Sequence, residues 1–414
     1  MCRKRCGVLI WIEVNVAWMN WAGGGLSLLG LIAVVWQWVV ARRFPLGRRV
    51  GVAGRMPGVT VIKPVEGADE GVVEALGTWL RLEYPGEVEL LLVVGEGDEP
   101  GRRVVERLAG ESAGGGMNVR VVEVRGAVGC NGKMAKVVDA ARGARHDFLV
   151  VSDADVAVTS DLLGELMLKL GHEQVGMACC FYSIGGVRRG AMALEVLAVN
   201  VDFWSQVLQA RSLGGLDFGL GAVMGFRREW LEKAGGFGAV VDYLADDFQL
   251  GNRVHGVGGV VELCAVPVVC MDPDRGWREV WRHQVRWGRT IRVSRPWPYM
   301  ASILSHALLG PSIWVVISGV GWTVGAVGAW KALGWATLVW VAMAGLRVVM
   351  AADLQRRFVA QPAWRVASWK IILKDLLGMA VWVVSFTGNR VEWRGRVYRV
   401  GRDGKLLVAG EGRE

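Results

Sequence analysis

The sequence predicts an α/β unit on a doubly wound, Rossmann-like parallel sheet, flanked by transmembrane helices. Short apolar runs alternate with helical periodicity from Val59 to Ser152, as strands covered by helices on both faces require. A stretch from Val16 to Val40 has only Asn20, Ser27 and Gln37 as polar side chains, and apolar stretches return near Ser302–Ala329, Ala332–Ala351 and Ile371–Phe386. Composition agrees. Of 414 residues, 52% are hydrophobic and 21 are Trp, and the mean hydropathy of +0.33 exceeds that of an ordinary soluble domain.

Val16–Val40 is long enough for a span, which needs about 20 apolar residues, and too long for a signal-peptide core of roughly 7 to 15. Arg42, Arg43, Arg48 and Arg49 follow it at once. By the positive-inside bias they place the next domain in the cytoplasm, against a weaker pull from Arg3, Lys4 and Arg5. Residues 1–50 therefore read as an anchor in the inner membrane and 51–274 as a cytoplasmic domain.

Within that domain Val59–Ile62 is a buried strand stopped by Lys63-Pro64, and Val73, Leu76 and Leu80 recur at helical spacing. Val88–Val94 reads as a central parallel strand, after which Asp98 and Pro100 give the N-cap and first turn of a helix carrying Val104, Val105 and Leu108. Val119–Val124 is the third strand. A helix with Met134, Val137, Val138 and Ala141 leads to the fourth, Phe148–Ser152. Ligands of such sheets sit beyond the carboxyl ends of the strands.

The fourth strand ends in Asp153-Ala154-Asp155, two carboxylates at the mouth of that crevice, a donor pair suited to Mg²⁺ or Mn²⁺ bridging a nucleotide diphosphate. Further on, Asp246-Asp247 precede a helical pattern of Phe248, Leu250 and Val254. One of the two is expected to cap that helix, leaving the other free as general base toward an acceptor hydroxyl. The seven cysteines include no CxxC pair and suggest neither a disulfide framework nor a zinc site. Most read as small buried hydrophobes, with Cys2 and Cys6 beside the first basic cluster as candidate lipidation sites.

The net charge is +9, and part of it lies in one stripe. Arg275, Arg278, Arg282, Arg286, Arg289, Arg292 and Arg295 recur every three or four residues, opposite Trp277, Val280, Trp281, Trp287 and Ile291. Residues 275–299 thus form an amphipathic interfacial helix, with Trp in the headgroup zone, Arg on lipid phosphates, and Arg286 or a neighbour on the donor diphosphate. Hydrophobic flanks argue against nucleic acid. Residues 300–388 read as membrane helices and 389–414 as a basic cytoplasmic tail. Basic clusters at Arg356–Lys370 and in the tail both belong in the cytoplasm, so no odd number of crossings separates them. Lys374 and Asp375, costly at a bilayer centre, make 371–388 a re-entrant or interfacial segment.

Asp153-Ala154-Asp155, Asp246-Asp247 and His283-Gln-Val-Arg286-Trp287 stand in the order and setting that the chain shares with family-2 inverting glycosyltransferases, which it resembles. More narrowly, Val61-Ile-Lys-Pro-Val-Glu-Gly67, Leu82-Glu-Tyr-Pro85 and Ala234-Gly-Gly-Phe237 are similar to ceramide glucosyltransferases and bacterial hopanoid-associated glycosyltransferases. The likeness runs from about Val59 to Arg295. It implies a GT-A fold, with Asp153 and Asp155 on metal and diphosphate, Asp247 as base, and Arg286 and Trp287 closing over the donor. Lys133 and Lys63 would contact the donor. Two positions depart from the pattern: Glu96 stands at the nucleoside-contacting aspartate with Asp98 two residues on, and His283 opens the final motif in place of Gln or Arg. The implied reaction moves glucose or N-acetylglucosamine from a UDP-sugar to a ceramide- or hopanoid-type lipid hydroxyl. The alternatives are a processive polysaccharide synthase and a non-catalytic nucleotide-binding membrane scaffold.

Overall fold

A computed structural model describes residues 2–51, 54–67, 69–112, 117–126 and 128–408, with side chains from Trp18 onward. Cys2, Cys6 and the end of the basic tail beyond 408 lie outside the described side chains.

The helix α1 (Cys2–Arg43) leads into β1 (Val59–Pro64), α2 (Glu70–Trp79), β2 (Val88–Gly95), α3 (Glu99–Glu111), β3 (Asn118–Val124), α4 (Gly132–Arg142) and β4 (Phe148–Ser152). This is the expected alternation. Asp98 caps α3 through Gly101 N, with Pro100 in the first turn. The four strands pair in parallel in the order β3-β2-β1-β4. Beyond the stretch that the alternation described come β5 (Val156–Ala157), α5 (Leu162–Leu170), β6 (Val175–Ile184), α6 (Gly190–Leu197), α7 (Trp204–Arg211), β7 (Val223–Arg227), α8 (Arg228–Lys233), α9 (Asp246–Gly256) and β8 (Val260–Cys270). They extend the sheet to eight strands as β4-β7-β6-β8-β5. Here β7 runs antiparallel to β4 and β6, so the sheet is parallel-dominant rather than wholly parallel.

Strand alternation sends Val61, Leu90, Leu92 and Val150 to one face, packed with Trp79 and Leu163. Ile62, Leu91, Val93 and Val151 go to the other, sharing a core with Val34 and Phe44 of α1 and Phe358 farther along the chain. Phe181 meets Phe44 at 5.6 Å and Phe358 at 6.3 Å, edge to face, and Trp204 stacks on Phe358 at 4.9 Å. Each such fully buried side chain contributes about 1.5–3 kcal/mol, so one face of the sheet is cemented directly to the membrane helices.

Those helices are α1 and α13 (Ala329–Phe358), with a bent pair in which 296–305, containing α11 (Pro296–Ala301), meets α12 (Leu309–Thr323) at 63°. At 30 residues, α13 is about 45 Å long, enough to cross a bilayer. A further apolar stretch, 190–211, passes the same test of length and hydropathy but is mostly buried inside the protein. It comprises α6, a π-helical turn over Ala198–Phe203 and α7.

The helix α14 (Ile371–Ser385) has 15 residues, about 22 Å, short of the roughly 30 Å hydrocarbon layer. Its Lys374 and Asp375 are not isolated: Arg347 bonds Asp202 at 3.0 Å and Asp375 at 2.8 Å, while Lys374 contacts Asp375 at 2.8 Å and also Asp202. Two positive and two negative charges thus neutralise one another inside the protein and tie α13 and α14 to the π-helical turn.

The helix α10 (Trp277–Ser294) carries the arginine stripe. Its arginines meet protein more than open surface. The tail supplies β9 (Arg390–Trp393), β10 (Arg396–Val400) and β11 (Leu406–Val408), a three-stranded antiparallel sheet. Arg282 pairs with Glu392 at 2.9 Å, Arg292 bonds Asn389, and Arg295 pairs with Asp217. Arg278 alone of the expected stripe is plainly exposed, as are Trp277 and Ile291. The stripe faces inward because the chain turns back after α14 and lays the tail across it.

Candidate active site

The acidic turn after β4 stands on a buried lysine. Lys63, fully buried, donates to Ser152 Oγ at 3.1 Å, Val156 O at 3.4 Å and Asp153 O, with its ammonium 4.6 Å from the Trp79 ring. Burial pulls it down to about 7 against the opposing fields of Asp155 and Asp153. Lys63 therefore holds the turn from beneath and does not open onto the cleft. Burial, then Asp153 and Asp272, push Asp155 up to about 7. A carboxylate held so near neutrality gains from a cation beside it.

Lys133 gathers the acids from two elements. Asn131 caps α4, accepting from Lys133 N at 3.1 Å and Met134 N at 3.2 Å, and donates to Tyr243 O at 2.8 Å. The start of α4 is thereby fixed to the loop before α9. The Lys133 ammonium lies 2.7 Å from Asp153 Oδ1 and 3.1 Å from Asp246 Oδ2. Burial alone would lower it, but Asp153 and Asp246 outweigh burial and hold it above the usual lysine range.

Neither Asp246 nor Asp247 caps α9. Ala245 takes the cap position without a side-chain bond, and both acids occupy the first turn. Asp247 Oδ1 instead accepts from Phe248 N at 2.7 Å. Its backbone carbonyl accepts from Gly219 N at 3.2 Å, and a Cβ on Gly221 would lie 3.1 Å from its Oδ2. Burial and Asp246 raise Asp247 to about 6, with the Phe248 amide and Lys133 opposing. This is a carboxylate ionised at neutral pH yet basic enough to take a proton.

Among the described residues no three His, Cys, Asp or Glu side chains form a ready cage for a metal. Asp153 and Asp155 offer two oxygen donors, which fits Mg²⁺ or Mn²⁺ completed by substrate phosphates. The Lys133 ammonium against Asp153 marks the same spot as one that accepts a cation.

The remaining expected residues lie on α10. Arg286 has no carboxylate within ion-pair distance among the described residues. Burial, then neighbouring Arg275, pull its guanidinium down to about 10. A half-buried cation without a partner is set for an anion. His283 tilts against Trp287 with ring centres 4.5 Å apart and bonds Glu195 through Nδ1. Burial lowers His283 against that bond. Arg275 also reaches Glu195 at 3.2 Å and Asp272 at 2.7 Å. Glu195 Oε2 is buried without a partner. Glu195 lies beyond the residues singled out from sequence, although a lone carboxylate in the apolar run Ala191–Val201 was a signal for it.

At the rim the two acids after β2 part ways. Asp98 is spent on Gly101 N at 3.0 Å and Gly67 N at 2.9 Å, while Glu96 is exposed at the strand end. Arg394, from the β9–β10 turn, pairs with Glu66 just past β1 and adopts a φ of 51°. The tail sheet thus reaches the carboxyl end of β1.

The structure therefore brings together Asp153, Asp246, Asp247 and Lys133 with Asp155 beside them, groups His283 and Trp287 of α10 with Glu195 and Arg275, and places Lys63 and Asp98 in supporting positions. A mannosyltransferase from Pyrobaculum calidifontis, solved with GDP-Man and Mn²⁺, shares this fold at a TM-score of 0.50 and 20% identity, over 82% of this chain and 99% of that one. The chain is 23% identical over 268 residues to a β-monoglucosyldiacylglycerol synthase of Nostoc, covering 64% of this chain and 56% of the relative. It is 23% identical to ceramide glucosyltransferase 3 of Caenorhabditis elegans, over 56% of this chain and 49% of that one. It spans about half the length of these curated relatives. The profile of glycosyl transferase family 21 matches residues 25–406, nearly the whole of the sheet, site and membrane helices just described, and the chain belongs to that family.

Proposed function

We propose that the protein is a membrane-bound inverting glycosyltransferase that moves a hexose, glucose or N-acetylglucosamine, from a UDP-sugar to the hydroxyl of a ceramide- or hopanoid-type lipid. The observation that carries this reading is the meeting of Asp153 and Asp246 on one ammonium, Lys133, with Asp247 beside them. Asp247 takes the proton of the acceptor hydroxyl as its oxygen bonds the anomeric carbon. The bond from that carbon to the diphosphate breaks in the same step, UDP leaves with the electron pair, and the configuration inverts. Arg286 and Lys133 stabilise the charge that develops on the diphosphate. Mg²⁺ or Mn²⁺ held by Asp153 and Asp155 would supply further neutralisation of the leaving group. Glu96 is the acid free to meet the nucleoside.

The lipid relatives support an acceptor drawn from the bilayer, and α10 lies between the cleft and the membrane helices, where a headgroup can enter. Orientation follows from the arginines after α1, with the catalytic unit on the cytoplasmic face of the inner membrane. The test is incubation of membranes bearing the protein with radiolabelled UDP-glucose or UDP-N-acetylglucosamine and lipid extraction. Label in the lipid phase that disappears in Asp247→Asn, with UDP binding retained, is the expected result. Unlabelled lipid with every donor tried would leave the scaffold reading standing instead.

A further inference from the structure

Away from the cleft, a cavity of about 560 Å³ is lined by Arg289, Thr387, Gly388, Asn389, Arg390 and Arg399. Three arginines and no acid line it. None of the three has an acid within 4.0 Å among the described residues, and burial with neighbouring Arg292 holds Arg289 below its ordinary value. Arg289 donates to Arg390 O and, at 3.5 Å, to Thr387 Oγ1, yet its Nε is buried without a partner. Arg390 and Arg399 stand directly opposite one another in the β9–β10 ladder, where like charges repel unless something lies between them.

The surroundings are amphiphilic. Val383 and Phe386 at the end of α14, just before the lining residue Thr387, are 58% and 42% exposed, and Arg292 lies 5.5 Å over the Phe386 ring. A ligand that matches cationic cavity and apolar border together has a phosphate at one end and hydrocarbon at the other. We propose that this cavity binds the phosphate headgroup of an anionic membrane phospholipid, which clamps the tail sheet to α10 and α14. The site is separate from the transfer chemistry and stands whether or not that reading holds. Its physical logic is that basic pockets beside membrane helices attract anionic headgroups, and that an anion between opposed arginines turns a repulsion into a bridge.

The test uses the full chain in neutral detergent, with unfolding followed by Trp fluorescence. Dihexanoyl phosphatidylglycerol, dihexanoyl phosphatidylcholine and inorganic phosphate are added separately. Phosphatidylglycerol should raise the unfolding temperature and the other two should not. In the double variant Arg390→Gln, Arg399→Gln the half-saturating concentration should rise on the order of tenfold, the equivalent of one lost charge contact. The same variant without lipid should unfold no earlier than the wild type, because a like-charge pair is gone. Arg278→Gln, an exposed arginine outside the cavity, should respond as wild type. Equal responses of wild type and double variant overturn the proposal, as does the absence of any response. A shift with inorganic phosphate matching that with phosphatidylglycerol overturns the lipid assignment.

Discussion

At Asp247 the value of about 6 sets a pH dependence. As the proposed base, Asp247 must be ionised for transfer, so turnover should climb with pH up to about 6 and level off above it, as an initial-rate profile will show. Lys133 is one of the groups holding that carboxyl down. Lys133→Met should therefore move the inflection to higher pH as well as weaken donor binding, and an unmoved inflection would remove Lys133 from the catalytic circuit. Asp247→Asn should slow transfer on the order of 10²–10⁴-fold with donor affinity kept. These acids were legible in the sequence because each follows a buried strand or opens a helix. Glu195 was harder to see, since its role comes from α10 folding back onto α6, a contact 80 residues or more away in sequence that no local pattern records.

Among the elements, α9 places Asp247, and it does so by close approach. A Cβ on Gly251 would come within 2.2 Å of Gly219 N and 2.4 Å of Phe218 C, so the helix rests backbone to backbone on the segment that also receives the Asp247 carbonyl. Gly251→Ala should cost about 1–3 kcal/mol or more by overpacking, read as a lowered unfolding midpoint, and should impair transfer together with stability. The β-α alternation up to β4 was plain from apolar runs and cap residues such as Asp98. The second half of the sheet was not, because β7, which follows β6 in sequence, inserts antiparallel between β4 and β6, while β6 pairs directly and in parallel with the later β8. Cys179, Cys180, Cys264 and Cys270 are buried in these strands, as a reading of small hydrophobes requires. The arginine stripe carried the right periodicity, and part of it is covered by the tail. Hydropathy could place α10 at an interface, but nothing local could say that the tail would cover it.

On the scale of the molecule, soluble and membrane parts form one body through the Phe44, Phe181, Trp204 and Phe358 cluster and through the charges of Asp202, Arg347, Lys374 and Asp375. Removing one member of such a buried set costs about 3–5 kcal/mol, so Arg347→Met should lower the unfolding temperature and Asp202→Asn combined with Arg347→Met should recover part of the loss. A double variant as unstable as the sum of the singles would show that the four do not act together. The same set constrains how the chain is made. Asp202 leaves the ribosome long before Arg347 and Lys374, and until they arrive its carboxylate has no counter-charge for burial. The face of the sheet that meets the lipid side therefore stays unsealed during most of translation, and the last quarter of the polypeptide closes what the first half began.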